Sequence, residues 1–374
     1  MRIYHVIIGS KAFFEKYIPT QDEWTQVDFF LDLVRKSDEQ RKFRNYDLSE
    51  IKTDILIVKN DHYHGIVETA HDRLGGLIED LTTDDATIYI HNPPAGLKAL
   101  LEQMKARNLI DLVCNTEQHQ INRDAKNFAF NIQEIEKHII GQEMAVQEIS
   151  KSLWYLTSVD RKKPYVIMLY GGSSLGKTEI VREIAKYFFK NKFFETHLSM
   201  YKNDKYSDYF FGQSPNRRSL GFDLLERESN LIFLVELDKC AEYFYSAFYT
   251  LFDNTIFKDA VYDVDISGTL IILTSNYSDL DEMKDKLGLP IYYRIDKFVH
   301  FEDFSPKTVY EITMNEIRSK VSECPEKLSV DGLYKMVSPT IQSTGENART
   351  IKNKVRAAVE TLLFQEVFNS VAEE

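Results

Sequence analysis

A glycine-rich segment near the middle of the chain has the residue types and the spacing that hold phosphate groups. It reads GGSSLGKT, residues 171–178, and lies between an apolar run, YVIMLY, and a helical pattern, EIVREIAKYFF. Glycines let backbone N–H groups close around phosphate oxygens, and the start of a helix adds partial positive charge. A turn that binds no ligand is the weaker interpretation, because strand, loop and helix agree. The segment therefore predicts a nucleoside triphosphate site.

The side chains of this loop have different expected roles. Lys177 is expected to reach the outer phosphates, and the hydroxyl of Thr178 is expected to bind Mg²⁺. The backbone of the other residues would surround the remaining phosphate oxygens. The predicted ligand-binding residues of the loop are Gly171, Gly172, Ser173, Ser174, Leu175, Gly176, Lys177 and Thr178.

A second segment, LIFLVELDK at 231–239, has a strand pattern with an acidic end. A nucleotide-hydrolysing sheet places such an end beside its magnesium ion. Val235 stands where the run would normally finish with an aspartate, and it is followed by Glu236 and then by Asp238. The segment leaves three alternatives open: an ATPase, a disabled ATPase, or neither.

The elements that must position these residues alternate between strand and helix. Over 131–303 the apolar runs YVIMLY, LIFLVE and TLIILTSN are separated by helical patterns, which predicts a large α/β nucleotide-binding unit with a parallel sheet. Over 304–374 only helical patterns remain, and the first opens with a capping serine followed by Pro306. These helices predict a lid subdomain. The apolar face of its last helix contains Ile351, Val355, Ala358, Val359 and Leu362.

The first part of the chain, 1–115, predicts a smaller α/β unit. Its short apolar runs IYHVII, DILIVK, ATIYIH and LIDLVC alternate with helical patterns, which indicates a parallel sheet covered by helices. The polar stretch that follows has no apolar periodicity, so a linker is predicted over 116–130.

The first unit contains no readable chemical motif. No glycine-rich fingerprint follows its strands, so a dinucleotide site is unsupported. His62, His64, His71 and His91 match no metal-ligand spacing, and loop or helix-face histidines are the favoured interpretation. The unit is therefore interpreted as a recognition or docking module.

The composition limits which kinds of partner and which cellular compartment are expected. The 374 residues include 46 basic and 58 acidic ones, and the net charge of −12 argues against a general affinity for nucleic acid. The three cysteines, Cys114, Cys240 and Cys324, form no CxxC pair, which fits a reducing compartment. No apolar run approaches the roughly 18 to 20 residues of a membrane span. A cytoplasmic protein without a membrane partner is expected.

From about Ile139 to its end the chain resembles the AAA+ ATPases, nearest to the Clp unfoldase branch. LYGGSSLGKTEIVREIA resembles the phosphate loop of that family, and IIGQEMAV resembles the opening box whose backbone, around Ile140, flanks the adenine. TSN at 274–276 resembles the first sensor, which implies that Asn276 lies near the attacking water. YYRIDKFVHF implies an arginine finger at Arg294, and GENARTI implies a second sensor at Arg349.

The resemblance implies ATP and Mg²⁺ as cofactors and ATP hydrolysis as the activity. An arginine finger completes a site on a neighbouring subunit, so the resemblance also implies a homo-oligomeric ring, most often of six. Taken singly, Asn276 would be interpreted as a strand-end cap, and Arg294 and Arg349 as surface cations. Their order after a strong phosphate loop favours the family roles.

Val235 is the first departure from the family pattern, which has an aspartate there. Glu236 remains to orient water, and Asp238 compensates only if the strand end bends. Loss of a well-placed electrostatic partner costs on the order of 3 kcal/mol, or about a hundredfold in rate. ATP binding with slow or assembly-dependent hydrolysis is therefore expected.

The second departure is the loop 210–222, FFGQSPNRRSLGF, where unfoldases carry an aromatic residue that faces the ring's channel. Arg217 and Arg218 at the comparable place suit phosphates or acidic segments, unless the loop is simply solvated.

Two functions stay open. The favoured one is a Clp-like remodelling machine whose N-terminal unit selects a protein client. The alternative is a nucleotide-controlled assembly switch or a nucleic-acid-associated ATPase.

Overall fold

Strand-forming runs gather into two sheets of five parallel strands, one in each half of the chain. The computed structural model describes residues 1–19, 27–40, 51–119, 124–342 and 344–372. The first sheet lies in residues 1–119, here called the N-terminal region, and contains β1 (Ile3–Ile8), β2 (Asp28–Phe29), β3 (Thr53–Val58), β4 (Thr82–His91) and β5 (Asp111–Thr116). Its helices are α1 (Lys11–Phe14), α2 (Phe30–Gln40), α3 (Leu74–Asp80) and α4 (Ala95–Ala106).

The first sheet buries both faces, as expected for a parallel sheet covered by helices. Tyr4 and Val6 of β1 lie in a core formed with α2, α3 and α4. Ile7 points to the opposite face and lies in a smaller core with Phe14 of α1. The prediction of a parallel α/β arrangement in this part of the chain is confirmed.

The second sheet lies in the part of the chain after the N-terminal region. Its strands are β6 (Tyr165–Gly171), β7 (Phe194–His197), β8 (Leu231–Val235), β11 (Leu270–Thr274) and β12 (Lys297–Phe301), and β9 (Ile256–Lys258) and β10 (Asp263–Asp265) form a separate antiparallel pair. The helices are α5 (Ala125–His138), α6 (Glu143–Ser158), α7 (Lys177–Phe188), α8 (Ser207–Phe211), α9 (Leu220–Leu225), α10 (Tyr245–Asp253), α11 (Leu280–Tyr292), α12 (Pro306–Glu323), α13 (Val330–Val337) and α14 (Ala348–Ala372).

Both faces of the second sheet are also covered. Ile167 and Leu169 of β6 lie in a core with α5, α6, α7 and the C-terminal helices. Val166 and Met168 lie in a second core, to which α8, α9 and α10 contribute many aromatic residues. Because both faces are buried, every residue of β8 is apolar and buried. The predicted second parallel sheet is confirmed.

The two sheets have the same strand order. The first reads β2-β3-β4-β1-β5 and the second reads β12-β6-β11-β8-β7. When the strands of each sheet are numbered 1 to 5 in chain order, the first sheet reads 2-3-4-1-5 and the second reads 5-1-4-3-2. These are the same order, read from opposite edges of the sheet. β1 therefore has the same place in its sheet as β6, β4 the same place as β11, and β5 the same place as β12.

The predicted linker, 116–130, is wrong in its second half. α5 begins at Ala125, where the side chain of Asp124 caps the first turn. Phe128 packs against the core shared with α6 and α7 and holds the helix in place. The sequence hides the start of this helix because its periodic apolar face, Phe128, Ile132 and Ile135, begins only after the polar stretch has ended. Residues 120–123 of the predicted linker lie outside the described part of the chain.

The C-terminal helices agree with their predictions. The Ser305 side chain accepts a hydrogen bond from the Thr308 N–H, and Pro306 is the first residue of α12. The predicted apolar face of α14 packs into the core beneath the second sheet, through Ile351, Val355, Ala358, Val359 and Leu362. Among the helices that the structure describes, none is long and apolar enough to cross a membrane. The cytoplasmic location stays a prediction.

Candidate nucleotide site

The glycine-rich loop joins β6 to α7 at the carboxyl end of the second sheet. Gly171, the last residue of β6, has φ 124°, and a Cβ there would lie 2.3 Å from the backbone oxygen of Phe301 in β12. Gly176, directly before α7, has φ 103°. Leu175 is buried in the core and anchors the loop from below. The left-handed backbone at both glycines and the close approach of β12 explain why the loop requires these residue types.

Lys177 is the first residue of α7, and its side chain turns back into the loop. Its Nζ donates to the carbonyl oxygens of Gly171 at 2.7 Å and Gly172 at 2.6 Å. The residue is 7% exposed. Burial lowers the pKa of Lys177 to about 8, although the nearby Asp238 and Glu236 oppose that shift. Thr178 follows in the same helical turn, so its hydroxyl stays beside the loop.

The chain bends sharply where β8 ends. Such a bend is required if Asp238 is to replace the aspartate that is missing at Val235. Glu236 adopts a left-handed backbone, φ 60° and ψ 56°, and its N–H donates to the Thr274 hydroxyl at 3.0 Å. Such a conformation costs a non-glycine residue about 1–2 kcal/mol, so the surrounding contacts must hold it. Val235 itself lies in the core and presents no polar atom to the site. The bend brings Asp238 back toward the loop.

Asn276 connects the lysine to the carboxylate. Its Oδ1 lies 3.3 Å from Lys177 Nζ, and its Nδ2 lies 3.4 Å from Asp238 Oδ2. Asp238 Oδ2 also pairs with the Lys239 ammonium at 3.2 Å. Asp238 Oδ1 is buried and has no hydrogen-bond partner among the described residues. A buried carboxylate oxygen that lacks a hydrogen-bond donor needs a partner, and a cation or a water molecule meets that need.

The start of α14 closes the loop from the other side. The N–H of Ala348 donates to the Ser174 carbonyl at 3.1 Å, which places Arg349 one residue from this contact. Glu346 is buried directly before α14, where it binds the Thr350 hydroxyl and pairs with Lys354. These bonds fix the turn that carries Arg349.

Ile140 lies in a cleft between α5, α6 and α12. The cleft has a volume of about 490 Å³ and is also lined by Ile139, Met314 and Arg318. The next residue, Gly141, has φ 74°, and a Cβ there would lie 2.2 Å from the Thr308 side chain. The approach of α12 thus requires glycine in the segment that is predicted to flank the adenine.

Arg294 stands apart from this cluster. Its guanidinium pairs with Asp253 at 2.6 Å, donates to the Pro290 carbonyl at 2.6 Å and lies 4.5 Å from the centre of the Tyr249 ring. These partners hold it near the end of α10, with 29% of its side chain exposed.

Arg217 and Arg218 are both held in ion pairs. Arg217 pairs with Asp208 at 2.8 Å, and Arg218 pairs with Asp223. The end of their segment touches the N-terminal region, because the ring of Phe222 packs 4.7 Å from that of His64. The loop expected to face a channel therefore lies partly between the two regions.

The structure thus brings together most of the predicted site. Lys177, Asn276 and Asp238 form one connected group, and the backbone of Arg349 lies near Ser174 of the loop, whereas Arg294 binds elsewhere. Two contributing residues lie inside the quoted motifs TSN and GENARTI but receive no role from the sequence. Thr274 accepts the hydrogen bond from the Glu236 N–H, and Glu346, which precedes α14, binds Thr350 and Lys354. These contacts depend on how the chain folds and leave no signal in the residue spacing.

Comparison with known proteins gives a family for the second sheet. Residues 167–302 match the family model of the ATPase family associated with various cellular activities (AAA). These residues contain β8 and β11, most of β6 and the loop between β6 and α7. Residues 167–302 of the chain therefore correspond to an AAA ATPase domain.

Individual relatives are more distant. Mitochondrial disaggregase is 27% identical in Rattus norvegicus and 26% in Homo sapiens, over 160 residues that cover 38% of this chain. Chromosomal replication initiator protein DnaA of Rickettsia bellii is 24% identical over 186 residues, which cover 48% of this chain. The matched stretch spans 23% of the rat disaggregase and 36% of the initiator protein. The chain is thus similar to a minor part of each.

Proposed function

We propose that the AAA ATPase domain of this chain binds ATP with Mg²⁺ at residues 171–178 and hydrolyses it slowly, with Asp238 in place of the aspartate that Val235 replaces. One observation carries the proposal. The Asp238 side chain is 7% exposed and is linked through Asn276 to Lys177, yet one of its oxygens has no partner within the described chain.

The donor set fits a magnesium ion. Mg²⁺ takes oxygen ligands, and the Thr178 hydroxyl and the Asp238 carboxylate supply them from the two sides of the loop. The bound ion would neutralise charge on the phosphates during hydrolysis. Lys177 would exchange the carbonyl oxygens of Gly171 and Gly172 for phosphate oxygens, which explains why it already points into the loop.

The remaining site residues are assigned by their positions. Glu236 follows β8 at the bend and would orient the attacking water, with Asn276 as the second polar group beside it. Ile140 would contact the adenine, as the family resemblance implies. Its cleft of about 490 Å³ has Ile139 and Met314 in its wall, together with charged residues such as Glu143 and Arg318. Arg349 would reach the phosphates from the first turn of α14.

Asp238 is tested by comparing ATP turnover and ATP affinity in the wild type and three variants. Asp238→Asn is expected to lower kcat about a hundredfold while changing the ATP dissociation constant much less. Val235→Asp is expected to raise kcat above that of the wild type. Asp281→Asn is the matched control, because the Asp281 side chain is 95% exposed. Wild-type turnover equal to that of Val235→Asp would show that the missing aspartate is irrelevant.

A homo-oligomeric ring is the assembly that this site favours. Arg294 lies away from the loop of its own chain, so it contributes to hydrolysis only if it reaches a neighbouring subunit. To do so its guanidinium must leave Asp253. Light scattering with and without ATP tests this idea. The wild type is expected to assemble when ATP is added, and Arg294→Ala is expected to stay small.

Protein remodelling is the favoured activity of such an assembly, with the N-terminal region as the docking site for a protein client. The similarity to mitochondrial disaggregase supports it. ATP-dependent unfolding of a tagged test protein would measure the activity directly. The unfolding rate should fall in Lys177→Ala and stay unchanged in Asp281→Asn.

A nucleotide-controlled assembly switch that acts on nucleic acid is the second candidate, favoured by the similarity to the replication initiator DnaA. The ion pairs of Arg217 and Arg218 and the net charge of −12 make it the weaker one. Retention of DNA or RNA that falls steeply with salt, and vanishes in the double variant Arg217→Ala and Arg218→Ala, would favour this candidate over remodelling.

A further inference from the structure

The first sheet has a crevice at the same end as the nucleotide loop of the second sheet. Gly9 follows β1 with φ 148°, and a Cβ there would lie 2.5 Å from the Cβ of Glu117, which follows β5. Gly171 has the same place in the second sheet and approaches β12 in the same way. Only Ser10 separates Gly9 from α1, whereas five residues separate Gly171 from α7. The first sheet therefore lacks the loop length that surrounds a triphosphate.

A carboxylate from the AAA ATPase domain fills this crevice. Glu226, directly after α9, accepts hydrogen bonds from the backbone N–H of Lys11 on Oε2 at 3.0 Å and from Asn60 Nδ2 on Oε1 at 3.0 Å. His91 Nδ1 lies 3.7 Å from Oε1. The donors follow β1 and β3, and His91 ends β4. Each oxygen of the planar carboxylate thus has its own donor.

The walls of the crevice are fixed before any ligand enters. His91 is 2% exposed, and its ring stacks on Phe14 at 4.5 Å. His91 Nε2 lies 3.1 Å from Asn92 Nδ2 and 2.9 Å from the Gly9 carbonyl. Asn60 is also 2% exposed, and its Oδ1 is buried without a hydrogen-bond partner among the described residues. Buried polar groups with such fixed positions form a built site and not a chance surface contact.

A cavity of about 580 Å³ adjoins the carboxylate, and this volume suits a small organic molecule. Phe14, Ile18 and Phe222 give it apolar walls. Its charged lining comprises Lys11, Lys59 and Arg218 against Glu15, Asp61 and Glu226, with Arg218 also paired to Asp223. When Asp223 is counted with its partner Arg218, withdrawal of Glu226 leaves three positive and three negative charges, and an incoming carboxylate restores the charge that Glu226 had supplied.

We infer that this crevice, formed by Lys11, Asn60 and His91, is a binding site for a small organic carboxylate, and that Glu226 occupies it as an internal ligand. An external carboxylate takes the place of the Glu226 side chain and extends into the adjoining cavity. Binding of that ligand and seating of Glu226 are therefore mutually exclusive.

The site is connected to the nucleotide site through a short piece of chain. Four residues separate Glu226 from β8, and one of them, Asn230, donates from Nδ2 to the His119 carbonyl of the N-terminal region at 2.9 Å. The carboxyl end of β8 carries Glu236 and leads to Asp238. A ligand that displaces Glu226 acts on the segment that enters this strand.

The experiment follows the Lys11 amide by hydrogen exchange in the full chain. Glu226→Ala removes the acceptor of that N–H and is expected to speed its exchange about tenfold. Sodium acetate is expected to restore the protection in Glu226→Ala, whereas sodium chloride at the same ionic strength does not. Acetate should leave the wild type unchanged, because Glu226 already fills the crevice. Glu228→Ala is the matched control, since Glu228 pairs only with Lys192 among its described ion-pair partners.

Three results would overturn the inference. Unchanged protection in Glu226→Ala would show that Glu226 is not the internal ligand. No greater effect of acetate than of chloride would show that the crevice does not bind a carboxylate. Equal protection by inorganic phosphate would show a general oxyanion site instead. Glu226→Ser covers the case in which the alanine variant fails to fold: its short side chain also leaves the crevice empty, so acetate is again expected to restore the protection, and no restoration would overturn the inference.

Discussion

The two parallel sheets of this protein share one strand order but carry different sites at their carboxyl ends. In both sheets, the residue that follows the fourth strand in chain order donates its backbone N–H to a carbonyl oxygen of the first strand. Asn92, after β4, donates to Ile7 of β1, and Ser275, after β11, donates to Leu169 of β6, each at 3.0 Å. In both sheets, a glycine with positive φ lies two residues after the residue whose carbonyl accepts this bond: Gly9 after Ile7, and Gly171 after Leu169. The two backbone frameworks therefore share this hydrogen bond and the position of the glycine.

What differs is the connection after that glycine. The loop after Gly171 is long enough to present several N–H groups and Lys177 to one ligand, so the proposed phosphate site is a continuous stretch of sequence. After Gly9 the chain enters α1 almost at once, and the polar groups come from the ends of three strands. The shared strand order therefore places a crevice at the carboxyl end of each sheet, and the length of the loop after the glycine determines which kind of anion that crevice suits.

The largest expected effect is a difference in ATP binding between variants of Lys177 and Lys11, the lysines that follow Gly171 and Gly9. Lys177→Ala is expected to weaken ATP binding by about a hundredfold, because it removes the only side-chain cation described within the loop. Lys11→Ala is expected to leave ATP affinity unchanged, since Lys11 contributes its backbone N–H to Glu226 and that group remains. Calorimetric titration with ATP and Mg²⁺ measures both. Equal losses in the two variants would mean that both sheets contact the nucleotide.

The two left-handed glycines provide a stability test. Gly171→Ala is expected to lower the free energy of unfolding by about 3 kcal/mol, because the new Cβ meets the backbone of Phe301 at 2.3 Å. Gly9→Ala is expected to cost a similar amount, about 3 kcal/mol, since the nearest atom is the Cβ of Glu117 at 2.5 Å, which moves only with its backbone. Denaturant titration measures the two changes. Gly76→Ala is the control, because a Cβ added there would meet no described neighbour outside its own helix within 4 Å.

The sequence predicts the second site far better than the first, for a physical reason. Residues 171–178 are contiguous and carry their own geometry, so strand, loop and helix are identified together. The bend at Glu236 is not predictable in this way, because it depends on a hydrogen bond to Thr274, which lies 38 residues away. That bend decides whether Asp238 serves the site.

The crevice of the first sheet leaves no local signal at all. Lys11, Asn60 and His91 meet only because their strands are neighbours, and Glu226 lies 166 residues beyond Asn60. Sequence spacing argues against a metal role for the histidines of this region, but it gives no sign that His91 lies beside a carboxylate. The parallel sheet itself is predictable, because its apolar runs alternate with helices.

Two asparagines at equivalent strand ends are expected to differ in role. Asn92 is 1% exposed and binds both the N–H and the carbonyl of Gly9, each at 2.9 Å, so Asn92→Ala is expected to destabilise the fold by about 2 kcal/mol without changing kcat. Asn276→Ala is expected to lower kcat about tenfold and stability by less, because its partners are Lys177 and Asp238. Thermal unfolding and ATP turnover, measured on both variants, separate the two roles. Reduced turnover in Asn92→Ala would contradict them.

The last expected effect is a pH dependence that belongs to the second sheet alone. Burial lowers the pKa of Lys177 to about 8, so the free protein loses this proton as the pH rises through that value. Phosphate oxygens favour the charged lysine, and binding above pH 8 must therefore take up a proton. ATP affinity should be constant below pH 8 and should fall about tenfold for each further pH unit. Titrations from pH 7 to 9.5 would show this break, and a constant affinity over that range would mean that the lysine is protonated throughout.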